Sequence, residues 1–106
     1  MNKSRSHDAA KIESFRNNPI YAAEYLNAVL EDGNQEELLE TLRYLATAFG
    51  GVPKLAEEAD LNATTLYRTL SRVGNPELKS LTALLKAMGM RLAVQPLNTL
   101  PHSQSF

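Results

Sequence analysis

Thr64, Thr65, Arg68, Ser71 and Arg72 gather hydroxyl and guanidinium groups within a few residues of one another. On a helix turning about 100° per residue, with Leu66 set to zero, they fall at roughly 160°, 260°, 200°, 140° and 240°. Leu70 and Val73 fall near 40° and −20°, on the opposite, buried stripe. Arginine can grip guanine O6 and N7 with two hydrogen bonds, and threonine can offer a hydroxyl or a methyl to a base edge. This face is therefore expected to read bases in the major groove of double-stranded DNA. No acid stands between Leu61 and Asn75, which separates this segment from ordinary solvated helix faces. Lys54, Lys79 and Ser80, at the starts of flanking helices, suit phosphate contacts, as does Asn62 at the amino end of the reading helix. Tyr67, at the flank, is expected to pack or to donate to a phosphate. Taken singly, each of these also reads as a plain exposed residue.

The elements that must position this face follow from caps and periodicity. Residues 1–7 and 97–106 are expected to be flexible, with one domain over 8–96. A first short helix spans Asp8 to Asn17, with Ile12 and Phe15 on one side. Asn18-Pro19 starts a second, ending at Asp32-Gly33, which buries Ala22, Leu26, Val29 and Leu30. Asn34 caps a third, with Glu37 placed to reach back as in a capping box. Its stripe is Leu38, Leu42, Leu45 and Phe49, with Leu39 and Ala46, and Gly50-Gly51 ends it. A short helix from Val52 to Ala59, a turn at Asp60-Leu61 and a helix from Asn62 to about Arg72 make a helix-turn-helix. Asn75-Pro76 begins the last helix, with Leu78, Leu81, Leu84, Leu85 and Met88 inward and Gly89 as its cap. Met90, Leu92 and Val94 then alternate with Arg91, Ala93 and Gln95, a strand signature that needs a partner from the tail or a second subunit. The fold class is all-α, five to six helices with one short C-terminal β-strand.

Composition bounds the function. The 106 residues suffice for one modest core. With no cysteine there are no disulfides or thiolate metal sites, which fits a reducing, cytoplasmic setting. No apolar run reaches the roughly 20 residues of a membrane span, and the amino terminus lacks a signal-peptide core. His7 and His102 lie in the expected tails without a second ligand, so no metal or other cofactor is implied. Without a cysteine nucleophile, a phosphate-cradling glycine loop or a histidine in the folded part, no catalytic residue is identified and the chain is not expected to be an enzyme. The net charge of −1 hides a segregation. Residues 17–60 hold nine acids against Arg43 and Lys54, whereas residues 61–106 hold five basic residues against Glu77. Phosphate attraction decays over about 8–10 Å, so a basic face can work on an acidic protein. The acidic half suits a basic partner or simply solvates its helices.

Tyr25-Leu26-Asn27, Leu30 to Asn34, Leu55-Ala56, Leu66 to Ser71 and Gly74-Asn75-Pro76 together resemble the HigA-like addiction-module antidote proteins over about residues 15–96. That resemblance implies a phage-repressor-like helix-turn-helix of the Xre/Cro type. It also implies an antitoxin that neutralises a small basic RelE/HigB-like toxin and represses its own operon as a homodimer on operator DNA. The turn position that repressors often fill with glycine is Asp60 here. Two other readings fit the residues: a stand-alone phage or host repressor without a toxin, and a protein-interaction module with a vestigial helix-turn-helix.

Overall fold

Asn18 and Pro19 set the angle between the first two helices. Asn18 leaves helical geometry, and its Oδ1 accepts from the Tyr21 amide at 3.0 Å. Pro19 fills the first helical position, where no amide is required. The computed structural model describes residues 3–71 and 73–97, and among them six helices form. They are α1 (Lys3–Asn17), α2 (Pro19–Asp32), α3 (Gln35–Ala48), α4 (Val52–Ala59), α5 (Ala63–Thr69) and α6 (Leu78–Ala87). No helix among the described residues is long and apolar enough to cross a membrane.

The first three helices pack pairwise, α4 packs on both α5 and α6, and α3 meets α4 at the joint. A single apolar cluster runs through both halves, from Phe15 and Leu26 through Leu42 and Leu45 to Leu55, Leu66 and Leu85. Phe15 is fully buried and stacks edge-on with Tyr25, their ring centroids 5.2 Å apart. Polar bonds fix α1 in register. Lys11 donates to the Tyr25 hydroxyl at 2.8 Å, and the Tyr44 hydroxyl donates to Asp8 at 2.7 Å. The hydrogen bond to Asp8, reinforced by burial and by Glu40, raises the Tyr44 pKa above the ordinary phenol range. Arg16 reaches the Ala48 carbonyl at the end of α3, where a cation is favoured.

Several boundaries differ from the sequence reading. Helix α1 begins at Lys3, ahead of the expected Asp8. In α3, Leu39, Leu42, Leu45 and Ala46 are fully buried, while Leu38 and Phe49 lie at the margin of the core. The Asn34 cap accepts from the Glu37 amide at 2.8 Å, but no return bond from Glu37 forms among the described residues. Leu30 is half exposed, because it lies at the edge of the α2 stripe. The helix expected to reach Arg72 stops at Thr69, so Val73 falls beyond it and is exposed rather than buried. Arg72 and residues 1–2 and 98–106 lie outside the described residues.

The last helix begins at Leu78 with Glu77 as its cap residue, later than Asn75-Pro76. Asn75-Pro76 therefore leads into the helix without starting it, unlike Asn18-Pro19 at α2. Leu78 consequently occupies an exposed first turn instead of the core. The C-terminal β-strand does not form: residues 90–97 carry no strand pairing in the single chain. Met90 and Leu92 still pack against the core, but a lone strand has no ladder to join.

Two helices end in the same hydrogen-bonded turn. In α6 the Gly89 amide bonds Lys86 and the Met90 amide bonds Leu85, with Gly89 at φ 81°. In α4 the Asp60 amide bonds Glu57 at 3.2 Å and the Leu61 amide bonds Ala56 at 2.7 Å, with Asp60 at φ 59°, ψ 44°. Glycine adopts this left-handed geometry freely, whereas aspartate is strained there and places its charge at the negative end of α4. Asp60→Gly is therefore expected to stabilise the fold by about 0.5–1 kcal/mol, read as a thermal midpoint higher by several degrees. Gly74 is constrained differently. A Cβ there would stand 1.8 Å from the Thr69 carbonyl oxygen and 2.9 Å from that of Arg68. Gly74→Ala forces the backbone apart and should cost about 1–3 kcal/mol in chemical denaturation.

Candidate nucleic-acid interface

The turn 60–62 presents α5 outward. Leu61 tucks partly into the core after the left-handed Asp60. Asn62 caps α5, its Oδ1 accepting from the Thr65 amide at 2.9 Å. Leu66 and Leu70 are almost fully buried, so their side of α5 is fixed against the core. The opposite side follows from helical geometry. Thr64, Thr65, Tyr67 and Arg68 are all exposed, and no acid lies among them. Tyr67 is 56% exposed.

Ser71 departs from the expected face. It lies past the end of α5 and is half-buried, and its hydroxyl donates to the Arg68 carbonyl at 2.7 Å. That donor is spent on closing the helix. The Gly74 amide then bonds the Ser71 carbonyl at 2.9 Å, which folds the chain back across the end of α5.

Two side chains of α3 hold this carboxyl end. Arg43 donates from its guanidinium to the Leu70 carbonyl, and Gln35 donates to the Gly74 carbonyl at 3.3 Å. A cation there satisfies a helix-terminal oxygen and complements the helix dipole. Both residues escaped the sequence reading. Arg43 carried one usable signal, a basic residue on a helix whose other charges are all acidic.

The flanking contacts spread over neighbouring helices. Lys54 is exposed in the first turn of α4, with Glu58 4.0 Å away on the next turn. Exposed pairs of this kind contribute little and leave the ammonium available to another anion. Lys79 is exposed and Ser80 half-buried in the first turn of α6. Asn62 is exposed, but its side-chain oxygen is occupied by the cap. The arrangement therefore offers two hydroxyls, a phenol and a guanidinium on α5, with exposed ammonium groups in the first turns of α4 and α6.

A family model described as "Probable addiction module antidote protein" matches residues 7–96, nearly all of the described chain. An uncharacterized protein of Haemophilus influenzae (strain ATCC 51907 / DSM 11121 / KW20 / Rd) is 32% identical over 71 residues, covering 67% of this chain and 72% of the relative. No solved structure matches. The family model spans the α1–α3 bundle, the α4–turn–α5 unit and α6 together, and on that span the chain belongs to the family of probable addiction module antidote proteins.

Proposed function

We propose that this chain is a cytoplasmic antitoxin that binds operator DNA as a homodimer, represses its own operon and neutralises a small basic toxin of the RelE/HigB-like class. Membership of an antidote family implies a toxin partner. The DNA-reading part rests on one observation above all. Helix α5 exposes Thr64, Thr65, Tyr67 and Arg68 without an acid, while Leu66 and Leu70 anchor its back. In this reading Thr64, Thr65 and Arg68 contact base edges, and Lys54, Asn62, Tyr67, Lys79 and Ser80 contact the phosphate backbone. Two copies related by a two-fold axis would place their α5 helices in successive major grooves about 34 Å apart.

Base-reading and phosphate-binding residues differ in what their loss does. Arg68→Ala is expected to lose about 1–3 kcal/mol of discrimination between operator and unrelated DNA. Lys79→Ala should weaken all duplexes alike and lower the salt slope by about one. Gel shifts with a duplex spanning the chain's own promoter, run across a salt series, separate the two. Unchanged selectivity in Arg68→Ala would overturn the base-reading assignment.

Arg43 is a positioning residue in this scheme, because it touches α5 and not the DNA. Removing a charged hydrogen-bond donor from a part-buried carbonyl costs about 1.5–3 kcal/mol. Arg43→Ala should therefore lower the thermal midpoint and weaken operator binding together, and Arg43→Lys should recover part of both. Operator affinity that survives Arg43→Ala intact at a temperature where the variant is folded would remove Arg43 from the machinery.

A further inference from the structure

Beyond the cap at Gly89 the chain runs on as an edge with nothing to pair. The Met90 amide bonds Leu85, but from Arg91 to Leu97 no backbone hydrogen bond forms among the described residues. Met90 and Leu92 pack against the core, whereas Val94 continues their register beyond it and is 97% exposed. The segment borders an apolar groove along the outer face of α2, in which Ile20 and Leu30 are exposed. An unpaired backbone edge beside exposed apolar side chains is the arrangement that strand addition completes.

We propose that a second copy of this chain occupies that edge. In this interface residues 91–95 of two copies pair antiparallel about a two-fold axis at Ala93, with Val94, Ile20 and Leu30 covered between them. The inference rests on the homodimeric part of the proposed function and supplies its surface. Three features point to the same chain as occupant.

A two-fold antiparallel pairing is self-complementary, so one segment serves as both edges. Ala93, at the axis, is small enough for close approach. Pairing about Ala93 sets Arg91 of one copy opposite Gln95 of the other, and Gln95 borders the groove beside Glu31. Neither Arg91 nor Glu31 has an ion-pair partner among the described residues of one chain. Across the axis each lies near its opposite. Pro96, which has no amide to donate, then ends the ladder.

Sedimentation equilibrium of the full chain, without DNA, tests the interface. The wild type should sediment as a dimer, at twice the 11.7 kDa of one chain. Val94→Asp alters a side chain that is exposed in the single chain, so helix content and thermal midpoint of the monomer should hold. It should raise the dimer dissociation constant about tenfold or more. Arg91→Glu alone should weaken the dimer, and adding Glu31→Arg should restore it. That rescue would not follow from a merely structural role for either residue.

A wild type that stays monomeric up to about 100 μM overturns the proposal. A Val94→Asp variant that remains as dimeric as the wild type, or a charge swap without rescue, also overturns it while leaving homodimerisation through another surface intact. Gel shifts with the promoter duplex judge DNA reading separately. A dimer that fails to bind DNA would count against α5 and not against this edge.

Discussion

A helix of seven residues, the length of α5, does not persist by itself in water, where fewer than about twelve residues are marginal even for strong helix formers. Its existence is a debt owed to the rest of the chain. Asn62 satisfies an amide at one end, and Arg43 satisfies a carbonyl at the other. Burial of Leu66 and Leu70 against the common core supplies the main attraction, of the order of 1.5–3 kcal/mol for each leucine. The return of the chain at Gly74, close under the Thr69 carbonyl, keeps the next segment from pulling the helix open. With both ends and the back tied, the outer side chains carry none of the helix's tertiary packing.

What could be read from the sequence divides along the range of the forces involved. Caps act across three residues, so Asn18, Asn34 and Asn62 were legible, and each accepts the amide three positions on. The apolar stripe of α3 was legible for a similar reason, since helical period follows from backbone geometry alone. The bonds that aim α5 were not legible. Arg43 reaches Leu70 across 27 residues and Gln35 reaches Gly74 across 39. Val73 shows the cost of extending a local pattern too far. Its wheel position matched the buried stripe, but tertiary contacts had already ended the helix before it. Met90 to Gln95 shows the complementary limit: alternation marks a chain fit for a ladder and is silent about the neighbour that completes one.

Arg43 also joins the two halves of the molecule, through its bond to the Leu70 carbonyl. Helix α3 is held by α1 and α2 through the core around Phe15 and Leu26 and through the Tyr44–Asp8 bond, while the Lys11–Tyr25 bond ties α1 to α2. The same helix sends Arg43 to the end of α5. The α1–α3 bundle is thereby tied to the carboxyl end of α5 through Arg43 and Gln35, and through no exposed residue of α5.

Acids of residues 17–60 stand in opposite helix-terminal environments that composition alone merges. Glu36 and Glu37 stand in the first turn of α3, where the positive end of the helix dipole favours them by about 0.3–1 kcal/mol each. Those charges are explained by the fold. Glu31 and Asp32 stand in the last turn of α2, where the same dipole opposes them, and no basic residue shares that turn. They are exposed and form no ion pair among the described residues. The end of α2, like the end of α4, thus carries acids that its own helix dipole disfavours, and Glu31 borders the same groove as the unpaired edge at residues 93–97.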